Sequence, residues 1–154
     1  MLRTKHVLAV FVAGFFLFGL ASTASARLTG AESSLLQAVN GARASHGLSR
    51  LGVDGHLTRI ARSHSVDMLR HAYFAHGAFA TRMRASGAAG PMFGEDLAWG
   101  PASAAWVVSH WLASPEHRAI LLRPGFHRIG IGAVGGTFLG MSGALVVTAD
   151  FAGS

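Results

Sequence analysis

Cysteine is absent from the 154-residue chain. That excludes disulfides, thiolate metal sites, cysteine nucleophiles and thiol redox switches, so the fold must rely on its packed core. Lysine is nearly absent as well, Lys5 being the single one. Only seven acids oppose 13 basic residues, for a formal charge of +6. Several catalytic signatures are missing too. No G-x-S-x-G nucleophile motif occurs. No H-E-x-x-H occurs, and "HSVDMLRH" (64–71) has the wrong spacing and no Glu. No G-x-x-x-x-G-K-[ST] phosphate loop occurs, and the glycines of 132–136 lie between expected strands. There is no internal repeat and no low-complexity segment.

The first residues do not belong to the fold. Arg3 and Lys5 precede the uncharged apolar run "VLAVFVAGFFLFGLA" (7–21), and Ala24-Ser25-Ala26 reads as an A-x-A cleavage site. This is the pattern of a secretory signal peptide cut after Ala26. The run is shorter than the ~20 residues a spanning helix needs, and no second apolar span follows. A secreted product, extracellular or periplasmic, is expected, with residues 27–154 as one domain. A chain of that size buries roughly two-thirds of its unfolded surface.

Loss of Arg3 and Lys5 with the signal lowers the formal charge from +6 to +4 and leaves arginine as the only strong base. The arginines are scattered, without a cluster or interleaved aromatics, so nucleic acid is not an expected partner. Attraction to anionic cell-surface polymers or lipid headgroups is compatible with this charge. A monomer is expected.

"AESSLLQAVNGARASHG" (31–47) places Leu35, Leu36, Val39 and Ala42 on one helical face, with Gly47 as the stop. Asp54 caps a second helix whose apolar stripe is Leu57, Ile60, Ala61, His64 and Met68, ending near Tyr73. A short helix is expected over 79–86. Another begins near Pro101, with Trp106, Val107, His110 and Trp111 as its apolar face, and Ser114-Pro115 breaks it before a helical segment at 116–122. "RIGIGAV" (128–134) alternates with period two and "ALVVTADF" (144–151) is β-branched, so two antiparallel strands flank the turn-rich "GGTFLGMSG" (135–143). Helices first and strands last give an α+β class.

Nine histidines invite a site. His6 leaves with the signal, and His46, His56, His71 and His127 fall in loops or on polar faces. His64 and His110 lie on apolar faces, where a hydrogen-bonded core or edge histidine is the plain reading. His76 in "YFAHG" and His117 in "SPEHR" sit at element ends, where functional groups are presented. Glu95 in "PMFGEDLAWG" is expected in a third loop. Two imidazoles and a carboxylate match an open Zn²⁺ site. The same groups without metal make a structural ion-pair network.

The motifs, in order, resemble the CAP superfamily: cysteine-rich secretory proteins, antigen 5 and pathogenesis-related 1 proteins, in the short bacterial SCP-like form. The matching segments are "LLQAVNGARASHGLSRLGVDGHLTRIARSHSVDML", "YFAHG", "GEDLAWG", "WLASPEHRAILLRPGFHRIGIG" and "VVTADF". The resemblance implies an α–β–α sandwich with helices flanking a small antiparallel sheet. It also implies a cleft holding His76, Glu95 and His117, with Asp96 and Tyr73 as accessory residues. Asp96 replaces the family's Asn, and Val147-Thr148-Ala149 replaces its aromatic-Thr-Gln. The second cleft Glu of eukaryotic members has no counterpart, and Glu116 is not assigned to it. Three functions follow as alternatives. The first is a non-enzymatic binding domain whose cleft takes a divalent cation or small ligand, with contact to lipid, glycan or protein. The second is a zinc hydrolase of peptide or cell-wall substrates, with Zn²⁺ on His76, Glu95 and His117 and with Asp96 as base. The third is a purely structural His/Glu network.

Overall fold

Thr29 and Glu32 start the first helix by capping each other. The Thr29 hydroxyl accepts from the Glu32 N–H at 3.3 Å, and the Thr29 N–H donates to Glu32 Oε2 at 2.8 Å. A computed structural model describes residues 27–154 and gives α1 (Gly30–Ser45), β1 (Gly52–Val53), α2 (Gly55–His71), α3 (Phe79–Ser86), β2 (Met92–Gly100), α4 (Ala104–Ala113), α5 (Pro115–Leu121), β3 (Phe126–Phe138) and β4 (Met141–Gly153). The signal sequence expected at 1–26 lies outside the described residues.

The strands form one sheet in the order β1-β3-β4-β2, with β1 parallel to β3 and the other pairs antiparallel. Strand alternation sorts the chain into two layers. Ile129, Ile131, Val147, Ala149, Phe151 and Ala98 face α1, α4 and α5, and pack with Leu35, Val39, Val107, Trp111 and Leu121. Leu97, Val146 and Phe138 face α2 and pack with Met68, while Leu57, Met83 and Ala152 extend that layer under α3. This is the α–β–α sandwich expected.

Two glycines set how close α2 lies to the sheet. A Cβ on Gly130 would overlap the backbone of Leu57 and Thr58, and one on Gly132 the backbone of Ala61 and Arg62. The helix therefore rests directly on β3. Ser65 fixes its rotation by donating to the Gly132 carbonyl at 3.0 Å while accepting from the Thr148 hydroxyl at 2.9 Å. On the other face, Arg43 is fully buried and spends its guanidinium on four backbone carbonyls, those of Ser49, Leu121, Arg123 and Phe126. It ties α1 to the turn between α5 and β3.

The helices fall where periodicity and caps place them. The strands correct the expectation in three ways. Glu95 is in the middle of β2, not in a loop. β3 and β4 run on through most of 135–143, leaving a tight turn at Leu139-Gly140. The two-residue β1 was not anticipated.

Gly130→Ala is expected to lower stability by about 1–3 kcal/mol, the usual cost of overpacking. Gly135→Ala, where the added Cβ meets only the Ala144 carbonyl at 3.9 Å, is expected to change it far less. Urea unfolding of the two variants checks the contrast.

Candidate functional site

Alternation along β2 turns Glu95 toward the α2–α3 layer and Asp96 toward the α4–α5 layer. The Glu95 side chain is 1% exposed, so its charge needs partners. Two supply them. His76, in the segment between α2 and α3, donates from Nδ1 to Glu95 Oε1 at 2.7 Å. Arg82, on α3, donates from Nη2 to Glu95 Oε2. Arg82 Nη1 also donates to the His76 backbone carbonyl at 2.5 Å, closing a ring of three residues. With Nδ1 committed, His76 keeps Nε2 on a ring whose side chain is 55% exposed.

The segment that carries His76 is held from below. His64 on α2 donates from Nε2 to the Ala75 carbonyl at 3.0 Å. Burial, reinforced by the Arg82 charge, lowers its pKa and keeps it neutral. Gly77 follows at φ 56°, a left-handed turn that glycine adopts without cost.

The structure joins His76 to Glu95 directly. His117 lies in the first turn of α5, in the opposite layer, and forms no bond to Glu95. Its buried Nδ1 has no hydrogen-bond partner among the described residues. Its pKa is lowered, first by burial and then by the His110 and His76 charges. His110 itself is exposed and stacks on Trp106 at 5.1 Å, so of the expected face α4 buries Val107 and Trp111, with Val108 in place of His110. Tyr73 points elsewhere, donating to Asp67 Oδ2 at 2.6 Å.

Asp96 is fully buried on the far face, and neither of its oxygens has a partner among the described residues. Burial, with the Glu95 charge added, raises its pKa to about 8. It is a neutral acid at pH 7, unsuited to the base role that the resemblance offered it. Asp150 stands directly across from Glu95 in the β2–β4 register and is also fully buried. Burial first, then the facing Glu95 carboxylate, push its pKa well up, so it is a carboxylic acid beside a carboxylate. Sequence reasoning missed both Arg82 and Asp150. A signal existed only for Asp150, an acid inside the β-branched run "ALVVTADF".

A divalent cation fits this donor set poorly. Both Glu95 oxygens are spent, one of them on a guanidinium that would repel the ion. Among the described residues no three His, Asp or Glu side chains are grouped as metal ligands.

The profile described as the cysteine-rich secretory protein family, CAP, matches residues 36–151. Uncharacterized protein YkwD of Bacillus subtilis is 31% identical over 118 residues, covering 73% of this chain and 46% of the relative. Uncharacterized membrane protein YlbC of the same organism is 30% identical over 109 residues, covering 68% and 32%. The chain thus spans less than half the length of these curated relatives. An extracellular protein containing an SCP domain from Bacillus anthracis superposes with a TM-score of 0.69 at 25% identity, over 81% of this chain and 41% of the other. An outer surface protein of Borrelia burgdorferi superposes with a TM-score of 0.66 at 21% identity, over 80% and 93%.

The acid of Asp96 makes stability depend on pH. Its pKa is higher folded than unfolded, so its contribution is complete below about 4 and is lost as pH rises to about 8. One such proton gives a slope of about 1.4 kcal/mol per pH unit. Asp96→Asn is expected to flatten this decline and to stabilise the protein at pH 8. Denaturant titrations at pH 5, 6.5 and 8 measure it.

Proposed function

The chain belongs to the cysteine-rich secretory protein family, CAP, and from that premise we propose that it is an exported, non-enzymatic binding domain. Its cleft takes a small polar ligand through His76 and His117. The observation that carries this reading is the closed ring of His76, Glu95 and Arg82. The carboxylate is neutralised from both sides and orients an exposed imidazole, while the buried Nδ1 of His117 is left to pair with something else. Imidazole donors and acceptors presented on a fixed frame suit recognition. No side-chain hydroxyl bonds to either imidazole among the described residues, so the nucleophile–base–orienter set of a hydrolase is incomplete.

Export is supported by the leader pattern at 1–26 and by relatives described as extracellular or outer-surface proteins. No helix among the described residues is long and apolar enough to cross a membrane. Lipid, glycan or protein at the cell surface is the source of ligand in this reading.

A zinc hydrolase is the competing function. It requires Arg82 to leave Glu95 and His117 to swing toward it. Calorimetric titration of the purified metal-free protein with Zn²⁺ at neutral pH separates the two. The binding-domain reading expects no one-to-one binding at micromolar affinity. One-to-one micromolar binding that His117→Ala abolishes would overturn it in favour of the metal site.

A further inference from the structure

The outer face of α2 carries a second feature, which adjoins the His76–Glu95 site and shares His64 and Arg82 with it. A groove of about 590 Å³ runs along it, lined chiefly by Arg59, Arg62, Ser63, Arg70, His71 and by Arg82 from α3. Among the described residues Asp67 is its single acid, and it is already engaged by the Tyr73 hydroxyl and by His71. We propose that this groove binds a phosphate-bearing polyanion.

Three of the four guanidiniums are anchored but not exhausted. Arg59 donates from Nη2 to the Ser86 carbonyl at 3.0 Å. Arg62 grips Glu32 from Nε at 2.7 Å and Nη2 at 2.5 Å. Arg82 is held by Glu95 and by the His76 carbonyl. Each guanidinium has five N–H donors, so every one keeps some to spend. Anchoring lowers the ordering cost of binding, because the forks are already in place. Arg70 makes no hydrogen bond or ion pair among the described residues. Glu32 and Glu95 offset Arg62 and Arg82, leaving Arg59 and Arg70 without a carboxylate.

The spacing selects the ligand. Arg59 and Arg70 are 11 positions apart on one helix, about 16 Å along its axis. A single small anion cannot reach both ends, whereas a linear ligand with several anionic groups can. Phosphate groups offer more acceptor oxygens than carboxylates to the guanidinium, Ser63 hydroxyl and His71 donors gathered here. The repeating charge would come from a soluble phosphate polymer or from clustered phospholipid headgroups.

The test uses the purified protein and two probes at about 50 mM salt, where exposed charges are weakly screened. Short-chain polyphosphate is titrated calorimetrically, and vesicles containing phosphatidylglycerol are assayed by co-sedimentation. Binding to the first assigns a soluble polymer, and binding only to the second assigns headgroups. In either arm, the double variant Arg59→Gln/Arg70→Gln is expected to bind at least about tenfold more weakly and with a shallower salt dependence. The charge-matched control Arg50→Gln/Arg123→Gln, at exposed sites outside the groove, is expected to stay within about twofold of the wild type. Arg70→Gln alone, which removes no contact within the fold, serves if the double variant is unstable. Absence of binding to both probes would overturn the proposal. So would equal losses in the groove variant and the control, since binding would then be diffuse attraction to a basic protein.

Discussion

A carboxylate excluded from water in the middle of an edge strand is the constraint on which the rest of the site depends. Glu95 is tolerable there only because a guanidinium and an imidazole come to it. Those partners arrive from two different stretches of chain, α3 and the segment before it, and Arg82 also fastens the segment's own carbonyl. The ion pair therefore folds residues 72–86 onto the sheet as well as neutralising a charge. Asp150, directly across the ladder, is held protonated first by its burial and then by the facing Glu95 carboxylate.

The scaffold makes this possible by resting α2 directly on β3. With no side chain at Gly130 or Gly132, the helix backbone meets the strand, and His64 is carried in far enough to hold the Ala75 carbonyl from beneath. β2, though an edge strand, is sealed on its far face by α4 and α5, and Trp111 Nε1 caps the Leu97 carbonyl at 2.8 Å. The same α2 presents two sides with different chemistry. Its inner stripe is apolar, and its outer face is a row of arginines. Arg82 belongs to both the inner ring and the outer groove, so charge on one side is felt on the other.

How much of this was legible in the sequence differs by element. α1 and α2 announce themselves through stripe spacing and through Gly47 and Asp54 at their ends, and α3 fills the short helix expected over 79–86. β2 does not. A strand buried on both faces loses the apolar–polar alternation, and "MFGEDLAWG" hides it further behind two adjacent acids and two glycines. The glycines of 135–143 read as turns, yet most continue the ladder, and Gly136 is there because Leu69 packs over it. His76, His117 and Glu95 stand out in the sequence by their place at expected element ends and by the motifs of the resemblance, and of the three the structure pairs His76 with Glu95. Asp96 was misjudged because adjacent strand residues face opposite layers, and that parity is invisible until the strand is known. Arg82 has no local signal, since its role exists only once α3 lies against β2.

The central claim is that Glu95 is a carboxylate receiving a proton donor from His76 Nδ1. Nitrogen-15 NMR of the imidazole rings at neutral pH tests it most directly, because the two ring nitrogens differ in shift according to which carries hydrogen. The account predicts hydrogen on His76 Nδ1, with that signature altered in Glu95→Gln. A His76 ring that carries its only proton on Nε2, unchanged in the variant, would contradict it.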